Sequence, residues 1–401
     1  MSGAPARALD VFLVAGEESG DQLGFKLMRA LREQTHGSVT FRGVGGHAME
    51  AEGLQSLFPM TDVAVMGFVP VIKRLPTILA RIRTTADAVI AAPPDVLVII
   101  DSPDFTHRVA QRVRKRLPSL PIVDYVSPTV WAWRPGRAPK MRAYVDHLLA
   151  LLPFEPEAHR RLGGPACTYV GHPLIERVGE MRPRPDEPRL RDAEPPTLLV
   201  LPGSRRTEIE RLSDDFAGAV ARVVERYGPL DVVLPAVAHL EGLIREKTSR
   251  WPHPPRVVTG EAAKYDAFRR ARAALAASGT VTLELALAQI PMVVAYKVSP
   301  IETLLRFVVN VPSIVLPTLI LGEKIIPEIL QEHCNPDSLA QALFPLIEGG
   351  PERERQLAAL AIVDELMSLP DGERPSARAA RIVIEQARAA RIVLETAQRR
   401  S

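Results

Sequence analysis

The stretch TLLVLPGSRRTEIE, from Thr197 to Glu210, decides the fold class of this chain. An apolar run, Thr197–Leu201, stops at the turn Pro202–Arg205, and a polar segment typical of a helix follows. The stretch therefore predicts a strand, a tight turn and a helix start. Unpaired N–H groups and a partial positive charge at a helix start favour an anion, and Arg205 and Arg206 add fixed charge. The pattern favours a phosphate site, although such a turn taken alone is more typical of a solvated loop.

A second stretch in the same half of the chain, Ala271–Tyr296, repeats this pattern. The small-residue turn Ser278–Thr280 separates an apolar strand from a helix that carries Glu284 in its early turns. Another apolar strand follows. Two such turns in one half of the chain indicate that both contact a single nucleotide.

Short apolar runs bounded by glycine or proline alternate with helix-like segments along the chain. We interpret ten of them as buried strands: Val11–Ala15, Thr40–Val44, Val96–Ile100, Ile122–Val126, Leu148–Leu152, Thr197–Leu201, Val232–Leu234, Arg256–Val258, Ala273–Ala276 and Met292–Ala295. Apolar strands that alternate with helices predict parallel sheets covered on both faces, so the expected fold class is α/β with two doubly wound domains. Ligands of such sheets lie at the carboxyl ends of the strands, which predicts an active site in a cleft between the domains.

Length and composition set the limits of this interpretation. The chain has 401 residues, which is enough for two domains, and a formal net charge of +3, which is too small to indicate nucleic-acid binding. Cys167 and Cys334 lie far apart, so we interpret them as reduced packing residues rather than a disulfide or zinc framework. Residues 1–10 lack the apolar core of a secretory signal, and Phe307–Leu321 is too short and too proline-rich to span a bilayer. We therefore expect a cytoplasmic protein.

Composition also predicts the domain boundaries. The expected segments are an N-terminal domain at 1–180, a linker rich in proline and charge at 181–196, a nucleotide-binding domain at 197–370 and a terminal helix at 371–401. That helix contains a repeat, ARAARIVIEQ at Ala377–Gln386 and ARAARIVLET at Ala387–Thr396. Because ten residues are not a whole number of helical turns, the apolar stripe drifts round the helix. The helix is expected to pack across a domain or a partner subunit, which leaves a homodimer as an alternative.

Two acidic loops follow strands of the first domain. The loop Gly16–Asp21 suits a sugar better than a phosphate, because carboxylates accept hydrogen bonds from hydroxyls. The loop Asp101–Asp104 follows the buried strand Val96–Ile100, where a catalytic group would stand. Asp101 there can act as a general base or can simply cap the next helix, and these two interpretations stay open on the residues alone.

Three further segments have a functional and an ordinary interpretation. The tryptophan and arginine residues of Ser127–Arg137 can stack on a sugar, pair with a phosphate or fill an interdomain contact. His172 lies near the expected cleft, but a lone histidine is more often structural. Val65–Arg83 mixes bulky apolar residues with lysine and arginine, as membrane-surface segments do, and an ordinary helix with one buried face is the generic alternative.

Eight motifs follow one another along the chain: VAGEESGD at Val14–Asp21, AVMGFVPV at Ala64–Val71, DSPDF at Asp101–Phe105, YVSPTVWAWRPGR at Tyr125–Arg137, LPFE at Leu152–Glu155, YVGHP at Tyr169–Pro173, LPGSRRTEI at Leu201–Ile209 and ASGTVTLE at Ala277–Glu284. In order and spacing they resemble the lipid-A-disaccharide synthase family over nearly the whole chain. The resemblance implies a GT-B glycosyltransferase with two Rossmann-like domains that face a central cleft and a C-terminal helix that returns to the first domain.

The resemblance also implies an inverting, metal-independent reaction without a cofactor. UDP-2,3-diacylglucosamine would donate its sugar to the 6-hydroxyl of 2,3-diacylglucosamine 1-phosphate, which gives the β-1,6-linked lipid A disaccharide phosphate and UDP. Since both substrates carry acyl chains, the protein is expected at the inner face of the cytoplasmic membrane, on an anionic surface. The alternatives are a UDP-sugar 2-epimerase, which shares the nucleotide half, and a nucleotide-sugar-binding scaffold without turnover.

Individual residues take roles from the same resemblance. Asp101 is expected to be the base, or else to orient the acceptor, with Glu18 as a further catalytic carboxylate and Arg205 at the leaving phosphates. The expected UDP-binding residues are Gly203, Ser204, Arg205, Ser278, Gly279, Thr280 and Glu284, the last of them on the ribose hydroxyls. The expected acceptor-binding residues are Glu17, Ser19, Asp21, Trp133 and Arg134. The expected membrane-facing residues are Met66, Phe68, Ile72, Lys73, Arg74 and Arg81. Thr318 stands where the family pattern is expected to have asparagine, which removes an amide contact.

Overall fold

The computed structural model describes residues 7–64, 68–187, 190–298 and 312–398. The chain forms two compact units, one made of Met1–Pro173 with Leu369–Ser401 and the other of Leu174–Ser368. Each unit is built on one parallel β-sheet. The predicted fold class, two Rossmann-like α/β domains, is confirmed. Within the described ranges, every helix falls short of the length and apolarity that crossing a bilayer requires.

The first unit contains a seven-stranded sheet in the order β3-β2-β1-β4-β5-β6-β7. Its strands are Leu9–Ala15 (β1), Val39–Val44 (β2), Gln55–Ser56 (β3), Val96–Ile100 (β4), Ile122–Tyr125 (β5), His147–Ala150 (β6) and Ala166–Tyr169 (β7). Its α-helices span Glu18–Gln34, His47–Ala51, Phe68–Ala91, Pro103–Arg116, Arg137–Met141, Glu155–Arg161 and Pro375–Gln398.

Strand β1 shows why the strands of this unit appear in the sequence as continuous apolar runs. Val11 and Leu13 pack into a core with the helices Glu18–Gln34 and Pro375–Gln398. Phe12 contributes to a second core on the other face of the sheet. Because successive side chains point to opposite faces and both faces are covered, every position of the strand is buried or nearly so.

The second unit contains a six-stranded sheet in the order β10-β9-β8-β11-β12-β13. Its strands are Thr197–Leu201 (β8), Asp231–Ala236 (β9), Arg256–Thr259 (β10), Ala271–Ala277 (β11), Met292–Tyr296 (β12) and Glu328–Leu330 (β13). Its α-helices span Val178–Met181, Arg206–Tyr227, Glu241–Thr248, Glu261–Arg270, Thr280–Leu287, Leu316–Leu321, Pro336–Glu348 and Pro351–Met367.

Both sheets have a topological switch point, where the strand order reverses. In the first sheet it lies between β1 and β4, and in the second between β8 and β11. Open parallel sheets bind their ligands at the carboxyl ends of the strands beside this point. The segments at these positions are Gly16–Asp21 and Asp101–Asp104 in the first unit, and Pro202–Arg205 and Ser278–Thr280 in the second; helices already begin inside three of them, at Glu18, Pro103 and Thr280. All four are segments that the sequence singled out.

The terminal helix Pro375–Gln398 belongs to the first unit, as the fold prediction stated. The first copy of its repeat buries Ala379, Ala380 and Val383 in the core beside the helix Glu18–Gln34. In the second copy, Ile392 and Val393 are 64% and 67% exposed. The same sequence therefore packs in one copy and faces outward in the next, which is the drift of the stripe predicted from the ten-residue period.

The predicted linker 181–196 is held by hydrogen bonds, because Arg182 and Arg191 donate to carbonyls at the end of the helix Thr280–Leu287, at 2.6 Å from Leu287 O and 2.6 Å from Ala288 O. The last carbonyls of a helix have no partner inside the helix, and arginine side chains can donate to them. The hydrogen bonds of Arg182 and Arg191 therefore hold the segment 181–196 on the second unit. Short strands with partly exposed residues also escaped the sequence pattern: Gln55–Ser56, Ala166–Tyr169 and Glu328–Leu330.

Candidate active site

The second unit contains a cavity of about 570 Å³ at its switch point. Its lining brings together all of the residues predicted to bind UDP: Gly203, Ser204, Arg205, Ser278, Gly279, Thr280 and Glu284. The volume lies within the range of small-ligand sites. Sequence reasoning missed the opposite wall, Pro235–Ala238, together with Glu208 and Lys264. Pro235–Ala238 and Lys264 carry no motif of their own, and only the end of β9 and the helix Glu261–Arg270 bring them to the cavity. Glu208 lies inside the LPGSRRTEI motif, but sequence reasoning assigned it no role of its own.

The first turn of the cavity already holds an anion, the carboxylate of Glu208. Glu208 Oε2 accepts hydrogen bonds from the backbone N–H groups of Ser204 and Arg205 at 3.0 and 3.2 Å. The guanidinium of Arg205 donates to Glu208 Oε1 at 3.1 Å, and its side chain is 75% exposed. Gly203 has φ 116°, and a Cβ there would lie 2.3 Å from Glu208 Oε2, so only glycine fits. Of the amides of Gly203 and Ser204, which are predicted to contact the UDP phosphates, the Ser204 amide is therefore occupied by a capping side chain.

The second turn has the open helix start. Ser278 Oγ donates to Ile314 O at 2.7 Å, so its hydroxyl hydrogen is not directed to a phosphate. The helix Thr280–Leu287 follows Gly279 and has no side-chain cap, which leaves its first N–H groups available to an anion. Between the two turns, the second is the stronger phosphate position.

Glu284 forms an ion pair inside the cavity. Its Oε2 lies 2.5 Å from Lys264 Nζ, and the Glu284 side chain is only 13% exposed. A carboxylate held in this way keeps its second oxygen as an acceptor, which fits the predicted contact with ribose hydroxyls. Lys264 adds a cation that the sequence did not identify.

In the first unit, Asp101 and Ser19 lie in contact at the switch point. Ser19 Oγ donates to Asp101 Oδ2 at 2.9 Å, and Asp101 Oδ1 accepts from the backbone N–H of Ser102 at 2.8 Å. The two loops approach so closely that a Cβ on Gly16 would lie 2.8 Å from Ser102 Cβ. The structure thus places the predicted base beside one predicted acceptor-binding residue.

The backbone around Asp101 is strained. Asp101 and Ser102 have φ values of 53° and 45°, and Val126 and Arg134, in the loop after β5, have 94° and 54°. Left-handed backbone is uncommon for residues other than glycine and is a genuine outlier for a β-branched residue such as Val126. Strain of this kind persists where the surroundings impose it, and it concentrates at functional sites.

The other carboxylates of the first loop differ in their exposure. Glu18 is exposed and Glu17 is partly exposed, so both can reach a ligand. Asp21 is 1% exposed and accepts from the backbone N–H groups of Gly46, Ala48 and Met49. The prediction that Asp21 binds the acceptor is corrected: its carboxylate fastens the loop before the helix His47–Ala51 and faces no solvent.

A buried cluster fixes the tryptophan loop. Trp131 Nε1 donates to Glu155 Oε1 at 3.1 Å, and Glu155 Oε2 accepts from the backbone N–H groups of Leu151 and Leu152. Ser127 Oγ lies 2.9 Å from His159 Nε2. Burial raises the pKa of Glu155 to about 7 and lowers the pKa of His159 to about 4. His159 is therefore neutral near pH 7, and Glu155 titrates in the neutral range, because burial disfavours the charged form of both groups.

The predicted acceptor contacts Trp133 and Arg134 lie at the outer side of this loop. The Arg134 guanidinium lies 5.0 Å from the centroid of the Trp133 ring, and Arg134 is exposed. Trp133 is partly exposed. Such a stacked pair presents a flat cationic surface, which suits a phosphorylated sugar. Burial lowers the pKa of His172 to about 4, so His172 is neutral at pH 7.

A buried acid beside Asp101 was missed by the sequence. Asp124 in β5 is 1% exposed, and its Oδ2 lies 3.0 Å from His107 Nε2, while His107 Nδ1 lies 3.1 Å from the Tyr144 hydroxyl. Burial raises the pKa of Asp124, and the nearby negative charge of Asp101 acts in the same direction. Asp124 is the single charged residue of the strand IVDY, so the hydrophobic pattern of the strand gave no signal for its carboxylate.

The predicted membrane segment is only partly described. Met66 lies outside the described residues, and only the helical backbone is described for Phe68, Ile72 and Lys73. Arg74 is exposed and donates to Thr61 O at 2.8 Å.

Arg81, which is predicted as a membrane contact, also forms contacts within its own unit. Its Nη2 lies 2.7 Å from Asp62 Oδ2, and its guanidinium lies 4.7 Å from the Phe58 ring centroid. Arg81 therefore stabilises its own unit. On the same helix Ile82 is buried, but Leu75 and Leu79 are 41% and 39% exposed, so one face remains apolar and open.

Comparisons with known proteins agree with this geometry. The family described as lipid-A-disaccharide synthetase matches residues 11–380. The chain is 58% identical over 386 residues to the lipid-A-disaccharide synthase of Nitrobacter winogradskyi, which covers 96% of both chains. It is 57% identical over 376 residues to that of Nitrobacter hamburgensis, which covers 94% of this chain and 95% of the relative.

Solved structures show the fold alone. A UDP-GlcNAc 2-epimerase from Neisseria meningitidis bound to UDP-GlcNAc matches with a TM-score of 0.57 at 11% identity, over 94% of this chain and 99% of that chain. The glycotransferase of kitacinnamycin matches with a TM-score of 0.58 at 17% identity, over 95% and 99%. At such low identity these similarities support the two-domain fold and carry no assignment of activity.

Proposed function

The chain belongs to the lipid-A-disaccharide synthetase family, and from this premise we infer that its two units each bind one of the two substrates. It is a glycosyltransferase that forms the lipid A disaccharide. The family implies a UDP-sugar donor and a phosphorylated sugar acceptor. The epimerases share its fold but not its sequence, so that alternative loses its support.

The second unit is proposed to bind UDP-2,3-diacylglucosamine. The observation that carries this proposal is the single cavity that contains both predicted turns, Arg205 and Glu284. We assign the diphosphate to the uncapped helix start after Gly279, with Arg205 donating from the other turn. Glu284, held by Lys264, would accept from the ribose hydroxyls. For Arg205 to reach the diphosphate, its contact with Glu208 has to open.

The first unit is proposed to bind 2,3-diacylglucosamine 1-phosphate. In the inverting reaction, the 6-hydroxyl oxygen of the acceptor bonds to the anomeric carbon of the donor while the bond from that carbon to the UDP oxygen breaks. Asp101 takes the proton of the 6-hydroxyl, and Ser19 holds the Asp101 carboxylate in place. Negative charge that grows on the departing UDP is stabilised by Arg205 and the helix start. The stacked Trp133 and Arg134 would bind the acceptor.

Membrane attachment follows from the proposed substrates. Acylated sugars partition into the bilayer, so an enzyme that uses them has to reach the surface of the cytoplasmic membrane, and we propose the segment 65–83 for this contact. Its exposed Leu75 and Leu79 support the proposal. The homodimer stays a prediction, which light scattering of the purified protein tests.

The decisive experiment is a sugar-transfer assay with radiolabelled donor and both acylated substrates dispersed in detergent micelles. The proposal expects one labelled disaccharide phosphate and an equal amount of UDP. UDP-GlcNAc offered alone serves as the control for epimerase activity. Absence of the disaccharide with a folded, UDP-binding protein would contradict the proposed substrates, and label in a 2-epimer would revive the alternative.

A further inference from the structure

The backbone of Asp101 is held by two elements of the first unit. Its N–H donates to the carbonyl of Tyr125, in β5, at 3.0 Å. Its carbonyl accepts from the hydroxyl of Thr106, in the helix Pro103–Arg116, at 2.7 Å. Thr106 is buried, and its hydroxyl also lies 3.1 Å from Ser102 O. The left-handed backbone at Asp101 therefore depends on the position of this helix against β5.

A buried side-chain pair, Asp124 of β5 and His107 of the helix, joins the same two elements. Each member is the sequence neighbour of a residue that holds Asp101. The Asp124 and His107 side chains are only 1% and 6% exposed, and Asp124 Oδ2 lies 3.0 Å from His107 Nε2. Asp124 lies beside Ile99 in the sheet register, on the face that the helix covers. The pair thus bridges β5 and the helix next to the two hydrogen bonds of Asp101.

The other ring nitrogen of His107 also has a partner. Its Nδ1 lies 3.1 Å from the Tyr144 hydroxyl, and the two rings meet edge to face with centroids 5.7 Å apart. Tyr144 is buried and also forms a hydrogen bond with Gln111, one turn further along the same helix. The bond at one nitrogen of histidine decides whether the other carries a hydrogen. A Tyr144 hydroxyl that donates to Nδ1 therefore leaves a hydrogen on Nε2, which faces Asp124.

Stability alone does not account for the Asp124–His107 pair. Within the described ranges, neither oxygen of Asp124 has a hydrogen bond of good geometry, although Oδ2 lies at ion-pair distance from His107. A buried carboxylate costs free energy unless it is paired and hydrogen-bonded, and apolar side chains of similar volume are often as stabilising. Val109 and Val113 already pack the helix on the sheet. A buried acid that is incompletely bonded, beside the expected base, indicates a role in function.

We propose that Asp124 and His107 are positioning residues for Asp101: their contact sets the helix Pro103–Arg116 on β5 and so holds the Asp101 carboxylate where it accepts the proton. The inference rests on the proposed function, in which Asp101 is the base. Both residues are buried, so they act through the backbone of Asp101 and not on the substrate. Loss of the pair should therefore lower kcat and leave KM unchanged.

The test is transfer kinetics of the full chain with both acylated substrates. His107→Leu removes both ring nitrogens, and kcat should fall by about 10- to 100-fold, because a misplacement of about 1 Å costs a factor of this order. KM for both substrates should stay unchanged. His107→Gln should restore most of the rate, because the glutamine amide can still donate to Asp124. Wild-type kcat in His107→Leu, or a His107→Gln variant that is equally slow, would overturn the proposal.

A second variant keeps the test valid if His107→Leu destabilises the unit by leaving the Asp124 carboxylate buried without its partner. The double variant Asp124→Val with His107→Leu removes the buried charge together with its partner. It should unfold at a temperature at least as high as His107→Leu does, yet its kcat should stay about 10- to 100-fold below the wild type. Wild-type kcat in this variant would overturn the proposal, because apolar packing would then position Asp101 equally well.

The matched control is His147→Leu, which removes another histidine that bonds a side chain of the same sheet. His147 Nε2 lies 2.9 Å from Thr168 Oγ1, and His147 begins β6, at the edge of the sheet opposite to the Asp101 loop. This control should keep the wild-type kcat. If it lowers kcat as much as His107→Leu does, any buried histidine of the unit would have the same effect, and the positioning role would be refuted.

A double-mutant cycle with Asp101→Asn shows whether the pair acts through Asp101. Adding His107→Leu to Asp101→Asn should not lower the residual rate further, because the base is already lost. A general structural role would lower the rate by the same factor in both backgrounds, which would overturn the inference. Unchanged kcat in Asp101→Asn would instead contradict the proposed function. A slow Asp101→Asn together with a fast His107→Leu would refute the positioning role alone.

Discussion

Replacing Arg205 by alanine separates the stability of the donor turn from its chemistry. In the folded protein the Arg205 side chain is 75% exposed and pairs with Glu208, so its removal should change the free energy of unfolding by only about 0–1 kcal/mol. A charge-assisted contact with the UDP diphosphate is worth about 1.5–3 kcal/mol, which corresponds to roughly 10- to 150-fold in affinity. Isothermal titration with UDP and kcat/KM for transfer measure this loss. Arg205→Lys should recover only part of it, because lysine lacks the paired donors.

Glu208→Gln is the matched variant, since it keeps the shape of the cap and removes its charge. The amide oxygen of glutamine can still accept from the N–H groups of Ser204 and Arg205, so the helix Arg206–Tyr227 should keep most of its stability. Without the competing carboxylate, Arg205 becomes free for the diphosphate, and UDP should bind more tightly than to the wild type. If Arg205→Ala leaves both UDP affinity and kcat/KM unchanged, the diphosphate lies elsewhere and the reasoning fails. Weaker UDP binding by Glu208→Gln would mean that Glu208 organises the site rather than blocking it.

Three further predictions address the first unit. Asp101→Asn should lower kcat for transfer by about 10²- to 10⁴-fold with UDP affinity unchanged, and near wild-type turnover would exclude Asp101 as the base. His159, buried with a pKa lowered from 6.5 to about 4, stays neutral in the folded state while the unfolded chain takes up a proton, so stability should fall as the pH drops from about 6.5 towards 4. The free energy of unfolding, measured with denaturant, should fall between pH 7.5 and pH 5 by up to about 2 kcal/mol less in His159→Gln than in the wild type. An equal fall in both proteins would contradict this prediction. The double variant Phe68→Ser with Ile72→Ser should leave lipid vesicles regardless of salt, and sedimentation like the wild type would move the membrane contact elsewhere.

The sequence was sufficient to predict ten of the thirteen described strands and the turns that lie at the two switch points. Buried strands such as Val96–Ile100 and Thr197–Leu201 coincide with the predicted runs, because both faces of a parallel sheet are covered and every position is apolar. Turns with small or acidic residues follow these strands, and they lie at the carboxyl edge of each sheet. Since the topology brings first and fourth strands together, these turns meet at the switch points.

What the sequence could not predict is which polar groups are already satisfied by the protein. Asp21 and Asp101 both belong to acidic segments that follow strands, yet the carboxylate of Asp21 accepts from three backbone amides of a loop whose position depends on the tertiary fold. Glu208 looks like an ordinary residue of a helical first turn, and only the folded turn shows that its carboxylate accepts from the amides of Ser204 and Arg205, at the turn predicted to bind phosphate. Hydrogen-bond partners that are distant in sequence have no periodicity, so patterns do not reveal them.

The segments at the two switch points are stabilised by different contacts, and this difference fits the chemistry proposed for each segment. The Asp101 loop is fixed by strained backbone at Asp101 and Ser102 and by the close contact with Gly16, none of which can relax without moving β1 or β4. The turn Pro202–Arg205 is capped by the carboxylate of Glu208, which we propose is displaced when the diphosphate binds. A proton acceptor has to stand within a fraction of an ångström of its position before the reaction, because small misplacements cost large factors in rate. A diphosphate that leaves with its charge needs donors that open and close, which supports the proposal that the rigid loop carries the base and the adaptable turn carries the leaving group.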